Sequence, residues 1–118
     1  MPKTVLVVDD DEDLLATMQD LLRLRGYQVV TAANGQEALD RVSERIPELI
    51  LLDMRMPVMN GWEFVSAFRL AHPSTTPIIV VTAAPDAQHR AQQVEANAWL
   101  SKPFDVTDLF ATLERYLH

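Results

Sequence analysis

The chain has 118 residues, 48% of them hydrophobic and 23% charged, the length and balance of one globular domain spanning 1–118 with a sizeable core. Its 10 Lys and Arg stand against 17 Asp and Glu, a formal net charge of -7, which disfavours bulk binding to nucleic acid or to an anionic membrane surface. Cysteine is absent, so disulfide and thiolate chemistry are excluded, in keeping with a cytoplasmic protein.

Met1-Pro2-Lys3-Thr4 leads straight into the apolar run Val5-Leu6-Val7-Val8, which is too short for a signal peptide, and no segment reaches the length of a membrane span. That run is apolar on both faces, as a central parallel strand covered by helices requires, and Asp9-Asp10-Asp11 ends it. Leu14, Leu15, Met18, Leu21 and Leu22 then recur at helical spacing as far as Gly26. Tyr27 to Ala32 reads as a second strand. After Asn34-Gly35, the residues Ala38, Leu39, Val42 and Ile46 form a second helical stripe, which Pro47 stops.

Leu49-Ile50-Leu51-Leu52 is a third doubly apolar strand, and it too ends in a carboxylate, Asp53. Chain breakers fill Met54 to Asn60, and Gly61 opens a third helix with Val65 and Phe68 on its inner face. Ile78 to Thr82 reads as the fourth strand. The helical stretch from Asp86 to Glu95 is rich in Ala and Gln, which predicts the least firmly packed helix. Ala98 to Ser101 forms the fifth strand, Lys102-Pro103 turns the chain, and Val106, Leu109, Phe110, Leu113, Tyr116 and Leu117 mark the last helix. Strands alternating with helices in this way predict a doubly wound α/β domain around a parallel sheet.

In such a sheet the strand ends carrying Asp9, Asp10, Asp53, Thr82 and Lys102 face one way, and ligands bind beyond them where the strand order reverses. Clustered carboxylates repel one another, and a hard divalent cation such as magnesium or manganese relieves that repulsion. Lys102 offers a compact positive charge and Thr82 a hydroxyl, both suited to phosphoryl oxygens. With one carboxylate left as nucleophile, the chemistry is formation of an aspartyl phosphate. Singly, these residues read more plainly: Asp11 or Asp13 as helix caps, Lys102 as a surface charge, and Thr82 as a strand former.

Val7-Val8-Asp9-Asp10, Leu52-Asp53-Met54-Arg55-Met56-Pro57 with Asn60-Gly61, Val81-Thr82-Ala83 and Trp99-Leu100-Ser101-Lys102-Pro103-Phe104 together resemble the receiver domains of two-component response regulators. The resemblance covers the whole chain, in the family's order and spacing. It implies a flavodoxin-like fold with a five-stranded sheet in the order 2-1-3-4-5. It implies that Asp53 is the phosphoacceptor, that Asp10 binds the metal directly, and that Asp9 does so mainly through water or an orienting contact. The backbone carbonyl of Arg55 completes the ligands. Lys102 pairs with the phosphoryl group, Thr82 moves to hydrogen-bond it, and Ala83 is small enough to leave it room. The Lys102–Pro103 bond is implied to be cis, and Arg55 and Ala84 flank the site where the family varies.

Trp99 stands where the family usually has Tyr or Phe, an aromatic that swings inward when the threonine moves. It reads either as that switch or as a partly buried core or interface aromatic. Ala96 replaces a common Gly. The implied partners are a histidine kinase or histidine phosphotransfer domain and an unidentified protein target, with no direct nucleic acid contact and no membrane insertion. The implied activity is the chain's own phosphorylation and slow autodephosphorylation, read out at the face of the fourth helix, fifth strand and fifth helix. A monomer is expected, with that face as the alternative dimer surface, acting as a free-standing domain or as part of a larger regulator.

Two other classes compete. A haloacid-dehalogenase-type hydrolase also forms an aspartyl phosphate, but its nucleophile follows the first strand, whereas Asp53 follows the third. A non-phosphorylated interaction module of receiver fold would be expected to lack one of the acidic residues, the threonine or the lysine, and this chain has them all.

Overall fold

The computed structural model describes residues 2–83 and 85–117; the expectation for Ala84 lies outside them. Alternate residues of each central strand face opposite helix layers, which explains why these runs are apolar throughout. The strands are β1 (Thr4–Val8), β2 (Gln28–Ala32), β3 (Leu49–Leu52), β4 (Ile78–Ala83) and β5 (Ala98–Lys102). They pair in parallel in the order β2-β1-β3-β4-β5, the flavodoxin-like arrangement expected. The helices are α1 (Glu12–Leu24), α2 (Gly35–Glu44), α3 (Gly61–Ala71), α4 (Ala87–Gln93) and α5 (Val106–Tyr116).

Val5, Val7, Leu49, Leu51, Ile79 and Val81 pack against Leu15, Met18 and Leu22 of α1 and Leu109, Phe110 and Leu113 of α5. Leu6, Val8, Ile50, Leu52, Ile78 and Val80 face the other way, onto Ala38 and Val42 of α2, Phe64, Val65 and Phe68 of α3, and Ala91 of α4. Two apolar layers therefore clamp one sheet. Among the described residues no helix is long and apolar enough to cross a membrane.

Local chemistry sets several boundaries differently from the sequence pattern. The second helix stops at Glu44, because Arg45 is already extended at φ -161° and ψ 130°, and Ile46 leaves the stripe to stand 38% exposed. The helix thus breaks at Arg45, two residues before Pro47, and Ile46, the residue before the proline, is itself kept out of helical geometry. Tyr27 lies outside β2, donating its N–H to the Leu22 carbonyl (3.2 Å) as part of the α1 terminus. Leu14 and Leu21 flank the buried stripe of α1, packed on it but only partly covered. Val106 is 43% exposed, so the α5 stripe begins at Leu109. The fourth helix is shorter than the sequence stretch and has no side-chain cap bond, yet it buries Ala87, Arg90 and Ala91.

Candidate phosphoryl and metal site

The site lies where the strand order reverses. Both β2 and β3 flank β1, so the crevice beyond the ends of β1 and β3 is open to a ligand. Val8 pairs with Leu52, which sets the next residues, Asp9 and Asp53, side by side. Their backbones are fixed by Asp9 N–H to the Ala32 carbonyl (3.0 Å) and Asp53 N–H to the Val8 carbonyl (2.9 Å). Asp9 is 3% exposed and Asp53 7%, while Asp10 is exposed.

Carboxylate oxygens of Asp9, Asp10 and Asp53 lie within 4.8 Å of one another. Asp9 Oδ1 accepts from the Asp11 N–H (2.9 Å), and Asp53 Oδ1 accepts from the Met54 N–H (2.8 Å). Lys102 reaches across from β5, its Nζ lying 2.5 Å from Asp9 Oδ2 and 3.5 Å from Asp53 Oδ2. The Lys102–Pro103 bond is cis, as the resemblance implies.

These placements set the electrostatics. Burial pushes the Asp9 carboxyl above the usual carboxylate range, and the like charge of Asp53 adds to this. The Lys102 ammonium and the Asp11 N–H oppose the rise without cancelling it. Burial also acts against the charged form of Lys102. Its hydrogen bond to Asp9 and the charge of Asp53 outweigh that effect, and its pKa stands above the ordinary lysine value. The crevice thus favours positive charge. An all-oxygen donor set, partly buried and carrying more negative charge than one lysine neutralises, is able to coordinate a divalent cation.

Gly61 holds the α3 end of the site. Its N–H donates to the Met54 carbonyl (2.9 Å). A Cβ there would lie 2.8 Å from both the Asp53 carbonyl oxygen and Met54 Cα, so only glycine lets α3 start this close to the residue after β3. Asn60 caps α3 in a reciprocal capping box with Glu63. Asp11 caps α1 by accepting from the N–H groups of Asp13 and Leu14; Asp13 is a first-turn residue and not the cap.

Other predicted residues lie at the rim. Ala83 ends β4 exposed, in register with Lys102. Arg55 is exposed. Trp99 is 44% exposed and belongs to neither apolar layer, which removes the core half of its second reading. Thr82 is 2% exposed, and its hydroxyl is tied to a residue that sequence reasoning missed: Arg90 Nη1 donates to Thr82 Oγ1 at 3.0 Å. The only signal for Arg90 in the sequence is Asp86 one helical turn earlier, a spacing that suits a surface ion pair.

A family model for the response regulator receiver domain matches residues 5–114. The chain is 42% identical over 115 residues to the transcriptional regulatory protein PrrA of Mycobacterium tuberculosis, an alignment that covers 96% of this chain and 49% of that protein. The chain thus spans about half the length of that relative. It is 35% identical to the polar-differentiation response regulator DivK of Brucella anthropi, with 99% of this chain and 98% of that one covered. Among solved structures, the chemotaxis response regulator CheY4 of Vibrio cholerae superposes with a TM-score of 0.89 at 38% identity, covering 99% and 100% of the two chains.

Proposed function

Since the chain belongs to the response regulator receiver domain family, its acidic cluster poised for phosphorylation, we propose that Asp53 is the phosphoacceptor and a phosphohistidine its donor. The single observation that carries this reading is the convergence of Asp9, Asp10, Asp53 and Lys102 on one crevice.

Asp53 is the one carboxylate of the three that is both nearly buried and in reach of Lys102 without being its main partner. The Met54 N–H holds Oδ1 and leaves Oδ2 turned towards the ammonium. Asp53 attacks phosphorus, the P–N bond of the phosphohistidine breaks, and the departing imidazole takes up a proton. Lys102 shifts from Asp9 to the new phosphoryl oxygens, whose charge it offsets. Asp9, Asp10 and Asp53, with the Arg55 backbone carbonyl, would hold a magnesium ion, or manganese in its place. When bound, such an ion supplies charge neutralisation for the phosphoryl oxygens. Thr82 then hydrogen-bonds a phosphoryl oxygen, Ala83 leaves it room, and the change is read at the face formed by α4, β5 and α5, where Trp99 lies.

The partners in this reading are a histidine kinase or histidine phosphotransfer domain and a target protein, in the cytoplasm. The test is intact-mass measurement after incubation with acetyl phosphate and magnesium. One phosphoryl group is expected on the unsubstituted chain, with none after chelation and none on Asp53→Asn. Unchanged incorporation in Asp53→Asn would overturn the assignment.

A further inference from the structure

Arg90 is the one charged side chain among the described residues that is buried away from the carboxylate cluster, at 8% exposure. Arginine is rarely buried without partners that satisfy it. It has three here. Nη1 donates to Thr82 Oγ1 (3.0 Å), Nη2 meets Asp86 Oδ2 (3.1 Å), and the guanidinium carbon lies 5.8 Å from the centre of the Trp62 ring. Trp62 in turn donates its indole N–H to Gln93 Oε1 (2.9 Å). Thr82 on β4 is thereby joined to both ends of α4 and to the first turn of α3.

The partners differ in kind. The Asp86 side chain is 56% exposed, so solvent screens that pair, and water can replace it. The Thr82 hydroxyl is nearly fully buried. If it moves off, Nη1 loses its acceptor inside the protein, where an unsatisfied donor is costly. This internal bond ties the middle of the fourth helix to the sheet, alongside the buried Ala87 and Ala91.

We propose that Arg90 is a latch on Thr82, holding the hydroxyl towards α4 in the resting chain, and that the latch must release before Thr82 can hydrogen-bond a phosphoryl oxygen on Asp53. Release in turn frees α4, so the same bond that restrains Thr82 carries the event to the surface. Arg90 is a positioning residue in this scheme, and the inference rests on the phosphoacceptor reading above.

The test has two arms on the full chain. In the first, NMR of the Arg90 guanidinium follows its exchange with solvent, without any phosphoryl analogue. Protected N–H signals are expected in the unsubstituted chain, and Thr82→Val is expected to speed their exchange at least about tenfold, the scale of one hydrogen bond of this kind. Unprotected signals, or no change in Thr82→Val, would overturn the latch. In the second arm, beryllium fluoride is titrated in the presence of magnesium. Arg90→Met is expected to bind it about three- to tenfold more tightly than the unsubstituted chain, and to have no such effect in a Thr82→Val background. Equal or weaker binding overturns the latch, as does a gain that persists without the Thr82 hydroxyl. Arg90→Lys keeps the charge but loses the planar fork that spans two acceptors; it should shift binding in the same direction, and it carries the test if Arg90→Met does not fold. No response to beryllium fluoride in the unsubstituted chain would overturn the phosphoacceptor reading and this inference with it. A response without Arg90 dependence would overturn the inference alone.

Discussion

The two halves of the receiver are held together by different means. On the β1–β3 side, α1, α2 and α3 each begin on a side chain that accepts helix N–H groups: Asp11, Asn34 and Asn60. Gly35 and Gly61 press the helix starts against the loop after β3 so closely that a Cβ would meet backbone oxygens at 2.7 and 2.8 Å. On the β4–β5 side, neither α4 nor α5 has a side-chain cap bond, and Trp99 stands half in solvent. A nucleophile needs fixed geometry, whereas a signalling face needs two arrangements of similar free energy. The first half has the fixed geometry that the chemistry requires, and the second is the less firmly capped of the two. Lys102 and Thr82 stand at the join.

The largest effect is expected at that join. Lys102→Met should lower the rate of phosphoryl incorporation from acetyl phosphate by about 10²–10³-fold, the usual loss when a preorganised charge facing a transferring group is removed. Time-resolved intact mass checks it, and a change of less than a few-fold would detach Lys102 from the chemistry. Gly61→Ala should destabilise the chain by about 1–3 kcal/mol, because the new methyl meets backbone that cannot turn aside; urea denaturation measures it. The smallest effect compares the two halves directly. Asn60→Ala should cost about 1 kcal/mol by removing a working cap. Asp105→Ala, at an α5 terminus with no cap bond, should cost no more than about 0.3–0.5 kcal/mol, from the loss of a negative charge near the helix N-terminus. Equal losses at the two caps would erase the distinction drawn here.

The fixed half is also the half that was legible from the amino-acid sequence. Strands apolar on both faces and ended by Asp9 and Asp53 can be recognised from the order of residues alone, and parallel topology brings those two carboxylates together. Gly61 announces itself by residue type, whereas the sequence leaves the α1 cap open between Asp11 and Asp13, and the structure shows that it is Asp11. The β4–β5 side is less legible. Arg90 sits in a segment of Ala and Gln whose stripe is too weak to predict an inner face, and its Asp86 partner suggests a solvated pair, yet the guanidinium is buried on Thr82. The β1–β3 side has its own exceptions: Ile46 fits the periodicity of α2 but lies past the point where Arg45 turns extended. Val58 adopts φ 68°, a left-handed conformation that β-branched residues rarely take; it lies at the centre of a three-residue turn in which the Met59 N–H donates to the Pro57 carbonyl (2.7 Å). Trp99 is visible as an unusual residue at a known position, but its exposure follows from packing that periodicity does not encode.

The central claim is that phosphorylation on the β1–β3 side is read out on the β4–β5 side. An amide chemical-shift map of the isotope-labelled chain, recorded with and without beryllium fluoride and magnesium, tests it most directly. The account predicts changes that begin at the residues lining Asp53 and extend through Thr82 to α4 and β5, while the capped starts of α1, α2 and α3 beyond the crevice stay in place, and it predicts that Asp53→Asn abolishes the response. Shifts confined to the crevice, spread evenly over the fold, or undiminished in Asp53→Asn would contradict it.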